Sequence, residues 1–400
     1  MLPRSAIKPG FLLVFWRELH WLRRRRFLLV LTTMLPLALI GILTAVFSAG
    51  LPTRLPIAVL DLDHSDLSRS IVRAVDAAPD TMIAARVGDL GEGRALILSG
   101  RVHGLLLLQE NLQRDVFSGR SADVVFFYNT QQLTIGNLVA RGVSAAVPAV
   151  AAGIKIQLRT SEGEPVDVAE AAVQPIPVRT NALFNPTLNY IYFLLAALVP
   201  TILQIVIVAS TAYSVGLDAE TPHRFRTLRW LGNGLWKAMA GKVLPYTILF
   251  LGVLDIADFA LFHVFGLPLN GHRWLLVSAS ILFILSWQFI GALLALFFPT
   301  ARAVSFAALL TSPAFGYMGV GFPRIGMGTF AYAWGAILPG TWYLNARIDQ
   351  TIRGTPVDLS LKPILVLACF VITLVILTAW RLEVLRSRTR VARAVAGGGT

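Results

Sequence analysis

Cysteine is almost absent: the 400 residues include one, Cys369, which leaves no intrachain disulfide, cysteine zinc cluster or paired-thiol chemistry. Cys369 lies within the last apolar run, where it is expected to pack as a small core hydrophobe. Charge is scarce as well, at 14% of residues against about 25% in soluble domains. Hydrophobic residues reach 56%, and the mean hydropathy is +0.67. A water-soluble fold of this size cannot hide so much apolar surface, so the composition points to an α-helical polytopic membrane protein.

Acids are outnumbered, 22 against 35 Lys and Arg, for a net charge of +13. Placement decides what that excess serves. The basic residues flank the apolar runs, which is the positive-inside pattern and not a phosphate-binding face; nucleic acid is not an expected partner. The acids concentrate elsewhere: 14 of the 22, from Asp61 to Glu170, lie between positions 48 and 184. That block reads as a separate soluble domain.

Catalytic signatures are missing too. Gly241-Lys242 is the nearest approach to a phosphate-binding loop, but Trp236 stands where its first glycine belongs and Val243 where a hydroxyl would reach magnesium. The six histidines have no second ligand at helical spacing, and no Gly-x-Ser-x-Gly elbow occurs. No cofactor, metal or catalytic residue is expected, and ATP hydrolysis would have to reside on a separate subunit.

What the chain does have is long apolar runs. Phe27–Phe47 follows Arg23-Arg24-Arg25-Arg26 and holds 21 residues, about 31 Å of helix. That exceeds a signal-peptide core and reads as a lasting anchor. Five more runs follow, near residues 188–213, 243–265, 274–298, 303–320 and 363–380, so residues 185–383 are expected to form a five-helix transmembrane domain. Basic residues in 1–26, in the loop 215–242 and in the tail 384–400 place those segments and both termini in the cytoplasm of a bacterial inner membrane. Residues 48–184 then lie in the periplasm. Within them Leu55–Leu60, Val102–Leu108 and Asp123–Tyr128 predict strands, and Ser65–Val75 and Leu90–Leu98 predict helices, an inserted α/β domain. A longer helix is expected from Gln131 to about Arg159, followed by an irregular connector at Pro165, Pro175 and Pro177. Between the last two spans, residues 322–344 are apolar but broken by Pro323, Pro339 and several glycines, which predicts a re-entrant or interfacial outer hairpin. The Gly-Gly-Gly-Thr end is expected to be unstructured.

Few polar groups interrupt the spans. Asp255 and Asp258 share one face of span three at i, i+3 spacing, and each costs roughly 2.5–3.5 kcal/mol at a helix centre. They either line a polar pathway or lie near the outer interface, paired with a neighbouring helix or with His263. Gln204 and Gln288 are expected to make interhelical hydrogen bonds. The inside loop holds Asp218 and Glu220, then His223-Arg224-Phe225-Arg226 and Arg229-Trp230, with Leu228, Leu231, Leu235 and Met239 at helical spacing. Either an amphipathic helix lying on the inner leaflet or a helix docked into a partner protein fits that pattern.

Several short motifs, in order along nearly the whole chain, carry a resemblance. They are Ala182-Leu183-Phe184-Asn185-Pro186, Leu198-Val199-Pro200 with Gln204, Gly241-Lys242-Val243-Leu244-Pro245-Tyr246, Ser312-Pro313, Gly321-Phe322-Pro323, and Leu338-Pro339-x-Thr341-x-Tyr343. Together they resemble the permease subunit of type-2 ABC exporters, in the subgroup with a large periplasmic domain between spans one and two. The resemblance implies a separate ABC ATPase, a second permease subunit (a copy or a paralogue), a periplasmic adaptor, and an outer gate at the hairpin. It also implies that the inside loop touches the ATPase. There the family usually reads Glu-Arg-Gly-Thr-x-Glu; Thr227-Leu228 match, whereas Arg226 replaces Gly and Arg229 replaces Glu.

Two functions follow from different classes. One is an export permease for a hydrophobic drug-like or lipidic compound. The other is a membrane-anchored interaction protein whose periplasmic domain binds partners without transport.

Overall fold

The computed structural model describes residues 8–48, 50–173, 183–185 and 189–397. The chain divides into two compact units, Leu51–Asn181 and a second that joins Met1–Gly50 to Ala182–Thr400. The second unit opens with two helices. The first, α1 (Phe11–Arg24), is amphipathic and buries Val14, Glu18 and Leu22, four residues apart on one face. After an extended residue at Arg25, α2 (Arg26–Phe47) is long and apolar enough to cross a membrane.

Leu51–Asn181 is built on a four-stranded sheet of order β2-β1-β3-β4, with β1 at Leu55–Asp61, β2 at Thr81–Arg86, β3 at Gly104–Leu108 and β4 at Val124–Tyr128. β1 pairs in parallel with β2 and β3, and β3 is antiparallel to β4. Parallel neighbours need crossovers, supplied by α3 (Asp66–Ala77) and α4 (Leu90–Leu98). Ser65 and Asp89 cap these helices, each side chain accepting the N–H three residues on. Side-chain alternation splits the strands between two cores. Ile57, Val59, Leu106 and Leu108 pack with α3, α5 (Leu112–Phe117) and the long α6 (Leu133–Ser161); Ala58, Leu60 and Leu105 face Val87 and Val102 on the other side. A short α7 (Val166–Val173) follows. The edge strand β2 is one that hydrophobic patterning did not predict: only Thr81 in it is fully buried, so neither an apolar run nor a clean alternation marks it.

The second unit resumes with α8 (Ile191–Ala219), α9 (Pro222–Leu231), α10 (Leu235–Val264), α11 (Arg273–Phe297), α12 (Thr300–Thr311), α13 (Ala314–Tyr317), α14 (Thr329–Ala336), α15 (Pro339–Ile348) and α16 (Val357–Gly397). α8 is the central helix, with 67% of its apolar window buried against 17% in α16. It packs on α11 and α12, burying Leu203, Ile207 and Val208 with Phe283, Ile284 and Trp287.

Among the described residues six helices are long and apolar enough to cross a membrane, but they are not the expected six. The continuous span expected at 303–320 is broken, because Pro313 has no N–H to bond back into α12 and the chain turns at Ser312-Pro313 before α13. Residues 185–383 therefore carry four long helices and one interrupted one. The sixth long helix is α6, whose Leu138, Val139 and Val143 nevertheless pack in the α/β core. Residues 322–344 form no long helix; a 3-10 turn at Arg324–Gly326, α14 and the start of α15 occupy them. Cys369 is exposed and not in a core. Leu367 is the buried residue of that turn, and two residues along a helix rotate the side chain by about 200°. Pro175, Pro177, Pro186 and the last three residues lie outside the described residues.

Candidate functional site

The expected helix across the inside loop is two helices. Asn233 (φ 49°) and Gly234 (φ 133°) take left-handed backbone, which ends α9 and starts α10. Leu228 and Leu231 consequently pack with Val14 and Ala238, while Leu235 and Met239 join Ala212, Val215 and Leu382 in another cluster.

Around that turn lies a buried charge group. Lys242 Nζ donates to Asp218 Oδ2 at 2.8 Å and sits 3.2 Å from Glu18 Oε2. Arg17 Nη2 reaches both Asp218 carboxylate oxygens at 2.9 Å. Glu18, Asp218 and Lys242 are at most 1% exposed. Charges so far from water persist only when paired, and here two carboxylates balance two cations. Trp21 lies against the cations, with the guanidinium carbons of Arg17 and Arg25 at 4.9 and 4.4 Å from its ring centre and Lys242 Nζ at 5.8 Å. Gly241 permits the approach: a Cβ there would stand 2.6 Å from the carbonyl oxygen of Phe11. One turn on, Tyr246 OH accepts from Ser214 at 3.2 Å, and Pro245 is buried beside it in α10. Gly241, Lys242 and Tyr246 thereby join α1, α8 and α10.

The other loop residues divide. The Glu220 carboxylate accepts the Thr300 N–H at 2.5 Å, on the positive end of α12, and takes no part in the charge group. Arg226 and Thr227 are exposed on α9, with the Thr227 hydroxyl donating to the His223 carbonyl. Leu228 is buried, Arg229 half-buried and Trp230 exposed.

At the other end of α10 a second pair is buried. Asp258 pairs with Arg347 of α15, not with His263: Arg347 Nη1 donates to Asp258 Oδ2 at 3.1 Å, and Nη2 donates to Oδ1. Arg347 Nη1 also donates to Tyr343 OH at 3.1 Å; that hydroxyl lies 3.2 Å from Ser280 Oγ, and the ring stacks on Phe283 at 4.3 Å. Asp255, three residues earlier, is exposed and outside the network. In the preceding motif, Pro339 is the first residue of α15, and Thr341 Oγ1 and Trp342 Nε1 donate to the carbonyls of Gly335 and Ala336, closing the end of α14. Asn185 Oδ1 accepts the Asn189 N–H at 2.9 Å just before α8. Gln288 makes the expected interhelical bond, accepting from Thr247 at 2.8 Å. Gln204 is buried with neither amide atom partnered among the described residues.

Arg17, Glu18 and Arg347 were not singled out by motif. Glu18 had a signal: it is the only acid in residues 1–26 and falls on the apolar stripe of Val14 and Leu22. Arg347 had a weaker one, as the only charged residue in α15.

Long apolar helices clustered around a buried core define a polytopic membrane protein. The chain belongs to the ABC-2 family transporter proteins, whose family model matches residues 25–380. It is accordingly a permease of an ABC transporter, and its partner is an ABC ATPase subunit. Neither a curated protein nor a solved structure matches the chain.

Proposed function

We propose that the chain moves a hydrophobic, drug-like or lipidic compound outward across a bacterial inner membrane, acting as a pair of permeases (two copies or two paralogues) above two ATPase subunits. Both termini and α9 face the cytoplasm. The α/β unit is the periplasmic domain, which receives substrate or docks an adaptor, and residues 322–344 form the outer gate. The chain itself is not catalytic.

The observation that supports this reading is the group Arg17, Glu18, Asp218 and Lys242 at the root of α9. The exposed side of α9 offers Arg226, Thr227 and Trp230 to a partner, while its buried Leu228 packs with Val14 of α1 and Ala238 of α10. ATP-driven closure of the ATPases displaces α9. The packed contacts and paired charges pass that movement to α1, α8 and α10, biasing a bundle with two arrangements. Arg226 and Arg229 make the surface basic, so the complementary ATPase surface is acidic.

A photo-crosslinking residue at position 226, in the full chain in its own membranes, tests the reading. Capture of a nucleotide-binding subunit from position 226, and none from position 94 of the α/β unit, is the expected result. Capture from position 94 alone would sink it.

A further inference from the structure

The arginines of α1 and of the start of α2 face two ways. Arg17 turns to Asp218, and Arg25 lies against Trp21. Arg23, Arg24 and Arg26 are exposed, and none of them pairs with a carboxylate among the described residues. The only acid in residues 1–26, Glu18, is buried on Lys242. Three like charges within four residues repel one another, and residues 1–26 hold nothing further to balance them. Their counter-charge therefore comes from outside this stretch of chain.

The surroundings narrow what supplies it. At about 100° per residue, Leu12, Trp16, His20, Arg23 and Arg24 fall on one exposed arc of α1, opposite the buried Val14, Glu18 and Leu22. Phe27, which follows Arg26, is exposed as well. Large apolar side chains and unpaired arginines on one surface suit the boundary where acyl chains meet headgroups. Position agrees. α2 begins at Arg26, and its 22 residues measure about 33 Å, close to the roughly 30 Å of hydrocarbon in a bilayer. Its first turn is therefore level with one layer of headgroups, where the available anion is a lipid phosphate.

We infer that Arg23, Arg24 and Arg26 hold the phosphate of an anionic phospholipid, with Leu12, Trp16 and Phe27 against its acyl chains. A planar guanidinium matches phosphate oxygens in geometry as well as charge. A zwitterionic lipid carries its own cation beside the phosphate and leaves the three arginines unbalanced. The inference rests on the membrane placement proposed above and adds to it a preference for the charge of the lipid.

The test uses the purified full chain, stripped of lipid in mild detergent and titrated with dioleoylphosphatidylglycerol or dioleoylphosphatidylcholine, which share their acyl chains and differ in net charge. Native mass spectrometry counts the lipid bound. The anionic lipid is expected to be held roughly a hundredfold more tightly, about fivefold for each of three arginines. Combining Arg23→Gln, Arg24→Gln and Arg26→Gln is expected to erase that preference while the thermal midpoint stays unchanged. The matching triple change in the tail, Arg386→Gln, Arg388→Gln and Arg390→Gln, removes the same charge elsewhere and is expected to keep it. Equal binding of the two lipids by the unaltered chain overturns the inference, as does a preference that survives the first triple change or is lost equally in the second. Displacement of phosphatidylglycerol by soluble glycerol phosphate at equal concentration overturns the choice of a lipid as occupant. None of these measurements involves the ATPase, so their failure leaves the permease reading standing.

Discussion

Lys242 Nζ lies 2.8 Å from Asp218 Oδ2, and each of the two side chains is 1% exposed. The pair joins the end of α8 to α10, and Glu18 brings α1 into the same contact. Desolvation of such charges is offset only by good mutual geometry, so removing one partner is far more damaging than removing the set. Lys242→Met leaves Glu18 and Asp218 with only Arg17, whose Nη2 is 3.7 Å from Glu18. It is expected to lower stability by about 3–5 kcal/mol. Glu18→Gln keeps Lys242 on Asp218 and is expected to cost clearly less. Thermal unfolding of the full chain in mild detergent ranks the two, and the opposite order contradicts the charge balance described.

Asp258 and Arg347 obey the same rule at the far end of α10. Asp258→Asn is expected to destabilise by about 3–5 kcal/mol, whereas Asp258→Leu combined with Arg347→Met recovers most of the loss. The same unfolding measurement decides it. If the double variant is as unstable as the single, the ion pair is not the cause.

Gly241 holds α1 against α10 by having no side chain. Gly241→Leu is expected to cost about 1–3 kcal/mol through overpacking and to release α1, read as faster trypsin cleavage after Arg23 or Arg24. Cleavage at the unaltered rate means that α1 does not depend on that glycine.

Sidedness has its own test. In a Cys369→Ser background, Arg94→Cys and Arg226→Cys are expected to react with an impermeant maleimide from opposite faces of intact membranes. Labelling of both from one face removes the proposed topology.

Much of this was legible in the residues and some was not. Lys242 stood out through its Gly-Lys-x-x-Pro-Tyr setting, and Asp218 as an acid in a basic loop. Their pairing was hidden, because the i, i+4 logic of a single helix says nothing about residues 24 apart on two helices. Arg17, 201 residues from Asp218, was further out of reach. Hydropathy placed α2, α8, α10, α11 and α16 because a long uninterrupted apolar run allows little else. It failed at Pro313, where composition remains apolar while the hydrogen-bond ladder stops. It also gave no reason to expect the edge strand β2, in which Thr81 alone is fully buried.

The most direct test of the central claim is ATP hydrolysis by the complex purified from native membranes through this chain. Co-purification of a nucleotide-binding subunit is predicted, with hydrolysis that falls at least about tenfold in Trp230→Ala combined with Arg226→Glu, the order of about 1.4 kcal/mol of lost coupling, while the thermal midpoint is unchanged. Absence of any nucleotide-binding subunit, or hydrolysis indifferent to α9, would contradict the account and favour an anchor that binds partners without transport.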